Sequence, residues 1–110
     1  MKITTIGQAK AYDAAKHFGM KGYRLQGGPI SPFKDQVGLS VFEPGGGAEL
    51  SASASDRVYI IASGEMTLTT GAQEYVLREF DSCFIPAGEE RSLVNKGILP
   101  VVLFTIIAQA

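Results

Sequence analysis

With 110 residues, 45% of them apolar and 19% charged, the chain suits one compact domain with a hydrophobic core and leaves no room for a second. A formal net charge of −1 with both signs interspersed creates no field that would gather polyanions, which argues against nucleic acid as a partner. Met1 to Gly7 lacks an apolar stretch fit for a secretory signal, and Val101 to Ala108 is far shorter than the roughly 20 residues of a spanning helix. The expectation is a cytoplasmic protein that does not engage a membrane.

In chain order, Lys2 to Ile6 is the first expected strand. Gln8 to Phe18, carrying Ala9, Ala11, Ala14 and Ala15, suits either a short helix ended by Gly19 or an extended arm. Further strands are expected at Tyr23 to Gln26, Val37 to Glu43, Ala48 to Ser53, Arg57 to Ala62 and Glu65 to Thr70. Four more follow at Glu74 to Leu77, Ser82 to Ile85, Arg91 to Val94 and Pro100 to Ala108. All are short, and many are rich in Val, Ile, Leu, Phe, Tyr and Thr. Between them Pro44-Gly45-Gly46-Gly47, Ser63-Gly64, Thr70-Gly71-Ala72, Pro86-Ala87-Gly88 and Asn95-Lys96-Gly97 supply turn chemistry. The pattern is all-β with antiparallel hairpins, closed or doubled to hide its edges. Residues 1–110 form one domain, with 1–22 as an N-terminal strand or arm and 37–108 as the barrel core.

Two stretches give that barrel a family. Gly45 is followed after five residues by Ser51-Ala52-Ser53, after three more by Arg57, and after six more by Gly64. Farther on, Phe80 is followed after five residues by Pro86-Ala87-Gly88, then Arg91, then Asn95. The spacing resembles the two motifs of the cupin superfamily, which implies a jelly-roll β-barrel. The positions that set turns, Gly64, Pro86, Gly88 and Asn95, match the family. Those that hold its metal do not: three histidines and a glutamate are replaced by Ser51, Ser53, Arg91 and Arg57, and Phe80 stands where the family has glycine.

A neutral hydroxyl is a poor ligand for a divalent transition metal, and a permanently charged guanidinium repels one. His17 is the only histidine and Cys83 the only cysteine, so neither a three-histidine site nor a thiolate cluster nor an internal disulfide can be built from one chain. The expectation is a site without metal or other cofactor. An oxygen-only metal site using Glu49, Asp56, Glu89 or Glu90 is the alternative; as a simpler reading, these residues form a solvated rim.

Ser51 and Ser53 share one strand face, and Arg57, Tyr59 and Ile61 share another. The resemblance implies that Ser51, Ser53, Arg57 and Arg91 look into the barrel as ligand-binding residues, the two serines being space fillers in the plainer reading; alternation along the strand adds Tyr59 to the ligand-binding candidates. Buried guanidinium groups need an anionic partner, either a ligand carboxylate or phosphate or a protein carboxylate such as Asp56, Glu89 or Glu90. Surface ion pairs are the plain alternative for both arginines. The catalytic candidates are Tyr59, whose hydroxyl suits proton transfer if it is not simply core, and His17, if the arm brings it to the pocket mouth rather than leaving it a surface histidine. Cys83 reads as a small buried apolar residue.

These residues lead to a metal-independent cupin binding a small anionic molecule, with isomerisation, dehydration and cyclisation as candidate reactions. A non-catalytic sensor or interaction module is the competing reading. The resemblance also implies a homodimer, with Val101 to Ile107 and the first strand as the segments that would extend a sheet between copies.

Overall fold

The computed structural model describes residues 1–109. They form nine strands and no helix: β1 (Lys10–Tyr12), β2 (His17–Gln26), β3 (Gln36–Ser51), β4 (Arg57–Ser63), β5 (Met66–Thr70), β6 (Gln73–Leu77), β7 (Ser82–Ile85), β8 (Arg91–Val94) and β9 (Val101–Ile107). Every pairing is antiparallel. The order is β6-β5-β8-β3-β9-β4-β7, with β2 laid along β3 and β1 along β2. This is a nearly closed jelly-roll barrel.

Strand β3 organises it. Its first half, Gln36 to Phe42, pairs with β9, and its second half, Gly47 to Ser51, pairs with β8. Pro44-Gly45-Gly46-Gly47, read from sequence as a turn between two strands, is therefore a bend inside one long strand. Glycine is required there by close approach. A Cβ on Gly47 would lie 2.0 Å from the Leu93 carbonyl oxygen, and one on Gly46 2.2 Å from that of Gly19. Turn-type residues thus serve a strand crossing.

Two other expectations are corrected. Lys2 to Ile6 forms no strand; of the two readings of Gln8 to Phe18 the structure takes the extended one, paired as β1 and the start of β2. Strand β9 lies between β3 and β4 with both edges hydrogen-bonded, so Val101 to Ile107 has no free edge for a second copy.

Alternate residues of the central strands point inward. Tyr59 and Ile61 on β4, Leu93 on β8, and Val101 and Leu103 on β9 are buried, joining Phe42, Met66 and Leu68 in the core. The same alternation carries Arg91 and Asn95 inward from β8 and its end. Asn95 is 1% exposed, and its amide donates to the carbonyls of Phe42 and Leu99 while its oxygen accepts from Gly97 N–H. That single side chain ties three segments at one end of the barrel.

Phe80, at the motif position of a glycine, holds φ at +69° and is 80% exposed. Left-handed backbone at a residue bearing a Cβ costs about 1–2 kcal/mol, and an exposed ring recovers little of it. Phe80→Gly should therefore stabilise the fold by about 1 kcal/mol, seen as a higher urea midpoint with an unchanged slope. A lower midpoint would mean that the ring is packed.

Candidate functional site

The inward residues of β4, β8 and the end of β3 build a polar cluster inside the barrel. Arg91 is 3% exposed. Its Nη1 donates to the Ser51 carbonyl at 2.7 Å and to Ser51 Oγ at 3.0 Å. Its Nε and Nη2 donate to Tyr59 Oη at 3.3 and 3.2 Å. Four hydrogen bonds thus fix the guanidinium between three strands.

Arg57 is held more loosely. Its Nη2 donates to Ser53 Oγ at 2.8 Å, and its Nε is buried with no partner. Ser53 lies just past β3, where its hydroxyl also accepts from Ser55 N–H at 3.1 Å. Each serine expected in the pocket thus serves one arginine. Among the described residues the ion pairs are Arg78–Glu65 and Lys96–Glu74, so neither Arg57 nor Arg91 has a carboxylate partner there. Asp56, one of the carboxylates considered for that role, instead accepts from Ala87 N–H at 2.8 Å and anchors the β7–β8 connection.

In front of this cluster lies a cavity of about 370 Å³. Arg57, Tyr59 and His17 line it; Ser51, Ser53 and Arg91 stand behind that lining. The His17 ring sits 6.3 Å from that of Phe42, and Nδ1 lies 2.7 Å from the Ala15 carbonyl. A carbonyl oxygen only accepts, so that contact requires a hydrogen on Nδ1.

Sequence reasoning missed Tyr12, Arg24, Ser40 and Thr105 in the same wall. Arg24 lies over the Tyr12 ring, 4.4 Å from its centroid. Gly22 makes room for that ring, since a Cβ there would come within 2.7 Å of it. The glycine opposite an aromatic was the available signal, but it becomes readable only once β1 is registered on β2.

The positions where the family resemblance puts metal ligands present two hydroxyls and two guanidinium groups. None is an anionic or imidazole donor, and no group of three histidine, cysteine or acidic side chains gathers among the described residues. This donor set does not fit a divalent transition metal.

The Cupin domain family model matches residues 38–107, the stretch from β3 through β9 that builds the cluster. The chain is a cupin. It is 37% identical over 111 residues to Beta-D-galactosidase Rv1717 of Mycobacterium tuberculosis, covering 98% of this chain and 94% of that one. The polyketide cyclase RemF of Streptomyces resistomycificus superposes with a TM-score of 0.88 at 15% identity, over 98% of this cupin and 79% of that chain. An RmlC-like cupin of Shewanella frigidimarina gives 0.81 at 18%, over 98% and 90%. At such identities these two likenesses concern the fold.

Cys83, on β7 opposite Tyr59 of β4, is half-buried, and burial pushes its thiol above the ordinary range, partly opposed by a backbone hydrogen bond with Tyr59. Little thiolate forms at neutral pH. Alkylation by iodoacetamide at pH 7.5 should run slower than for a free cysteine and speed up as the pH rises.

Arg57 gives a sharper test. Its replacement forfeits one hydrogen bond but removes an unpaired buried donor, which costs about 1–3 kcal/mol where it stands. Arg57→Met should therefore leave the cupin as stable as before or about 1 kcal/mol more stable in urea unfolding. A loss above about 2 kcal/mol would show that this arginine holds the barrel together.

Proposed function

We propose that this cupin binds a small carbohydrate in the barrel cavity and hydrolyses a β-galactoside there without a metal. The observation that carries the reading is the lining. Hydroxyl and guanidinium groups of Tyr12, Arg24, Ser40, Arg57, Tyr59 and Thr105 share the wall with apolar Met20, Phe42, Leu93 and Leu103. A sugar presents the same mixture, hydroxyl edges that need partners and C–H faces that prefer apolar surface. The volume lies within the roughly 300–1,000 Å³ of small-molecule sites. Support for the substrate comes from the relative named as a β-D-galactosidase, matched along nearly the full length of both chains.

Glycoside hydrolysis commonly uses two carboxylates, one giving a proton to the leaving oxygen. Asp13 is the one carboxylate residue of this lining, and it is exposed at the rim. Another side-chain type must supply at least one of the roles.

A second reading, an anionic ligand bearing carboxylate or phosphate, is favoured by Arg57: its buried Nε lacks a partner, and a guanidinium fork suits such a group. Isomerisation, dehydration or cyclisation would then be the reactions to consider.

The test is release of nitrophenol from 4-nitrophenyl β-D-galactoside by protein treated with EDTA. Turnover well above buffer and unchanged by the chelator is expected; dependence on an added metal would remove the metal-free part of the reading. No turnover, together with a rise in melting temperature from galacturonate or phosphate that Arg57→Ala abolishes, would replace the first reading by the second. Neither turnover nor stabilisation would leave the barrel as a non-catalytic module.

A further inference from the structure

We propose that Tyr59 is the proton donor of this cavity and that Arg91 is the positioning residue that aims it; the reaction named rests on the carbohydrate reading above. Tyr59 is 2% exposed, borders the cavity, and accepts two hydrogen bonds at Oη, both from the Arg91 fork. A guanidinium has donors only. The phenolic hydrogen therefore cannot point toward Arg91. Among the described residues no protein acceptor takes a hydrogen bond from Tyr59 Oη, which is bonded there to Arg91 alone. What the ring borders on its open side is the cavity. Arg91 thus turns a group that ordinarily donates or accepts into a donor pointing at whatever oxygen the ligand presents.

The chemistry follows from that polarity. As the bond from the anomeric carbon to the leaving oxygen breaks, its electron pair stays on that oxygen, which takes the proton from Tyr59 Oη. Negative charge appears on the phenolic oxygen, where the permanent charge of Arg91 already stands, undiluted by any carboxylate partner among the described residues. Water then bonds to the anomeric carbon and gives up a proton, which restores Tyr59. Glycoside and water become two hydroxyl compounds, and the protein ends as it began. This assigns to a phenol the donor role that two-carboxylate enzymes give to an acid.

The experiment compares leaving groups. Methyl β-D-galactoside needs its leaving oxygen protonated, whereas 2,4-dinitrophenyl β-D-galactoside expels a stable anion without help. For Tyr59→Phe, kcat/KM on the methyl glycoside should fall about 100-fold or more, the usual worth of a general acid, against less than about tenfold on the dinitrophenyl one. Arg91→Met should reproduce that split, and Arg91→Lys, which keeps the charge but loses the fork, should recover part of it. Equal losses on both substrates, or no loss on either, would overturn the assignment. A wild-type cupin that cleaves neither glycoside would overturn the carbohydrate reading and this one with it; an active wild type without the split would remove this inference alone. Should Arg91→Met fail to fold, Tyr59→Phe, which removes one oxygen atom, decides the matter.

Discussion

A charged guanidinium enclosed in a small barrel, with no carboxylate beside it among the described residues, is the constraint around which this cupin is arranged. Burying an ion costs several kcal/mol even after relaxation. Arg91 offsets that cost with hydrogen bonds to Ser51 and Tyr59, so the end of β3, the middle of β4 and the start of β8 must hold a common geometry. The interior is accordingly divided. Around Ile61, Met66 and Val101 it is an apolar core, and around Arg91, Tyr59 and Arg57 it is a polar chamber facing a cavity. In the family pattern the positions of Arg91 and Arg57 hold metal ligands. Here positive charge arrives attached to hydrogen-bond donors, and donors recognise oxygen atoms by direction rather than by coordination.

Much of the fold was legible because turns impose backbone demands on few residues. Gly64 at φ +90° and Gly88 at φ +86° occupy conformations that side chains resist, and Asn95 spends its whole amide on backbone groups. Phe80 shows how far this goes. The glycine is gone, yet the left-handed backbone persists, so the demand belongs to the fold rather than to the residue. The same reasoning misreads Pro44 to Gly47. Local chemistry cannot distinguish glycines that turn the chain from glycines that let two strands cross, because the crossing partner, Leu93, is far away in sequence. Lys2 to Ile6 fails for the opposite reason. Its composition suits a strand, but β-propensity reflects the surface a segment packs on, and no strand pairs with it.

The site was legible to the same depth. Alternation along a strand put Arg57 beside Tyr59, and motif spacing put Arg91 near both; the structure brings them together with Ser51 and Ser53. Tyr12, Arg24 and Thr105 were not legible. Thr105 reaches the cavity because β9 pairs with β4 so that it faces Tyr59, and Tyr12 because β1 folds back on β2. Such registers are set by long-range pairing, which spacing within one segment does not encode. His17 was placed on the arm before the barrel, and the arm proves to be the first part of β2, so the one histidine enters the cavity wall as part of the sheet.

The two arginines separate structural from functional burial. Arg91 and Arg57 are the same residue type on facing strands, but Arg91 has committed four hydrogen bonds to the barrel and Arg57 one, leaving its Nε enclosed and unpaired. A saturated guanidinium has little left to offer a ligand; its influence passes through the groups it holds, chiefly Tyr59. An unsaturated one is a standing cost, and proteins keep such costs where a bound partner relieves them. In the proposed reading one wall of the cavity offers two different groups side by side on β4, an oriented hydroxyl at Tyr59 and an open guanidinium at Arg57. A ligand that satisfied both would present neighbouring oxygen atoms to that wall, one to accept from Tyr59 and one to accept from Arg57, as adjacent hydroxyls of a sugar ring can.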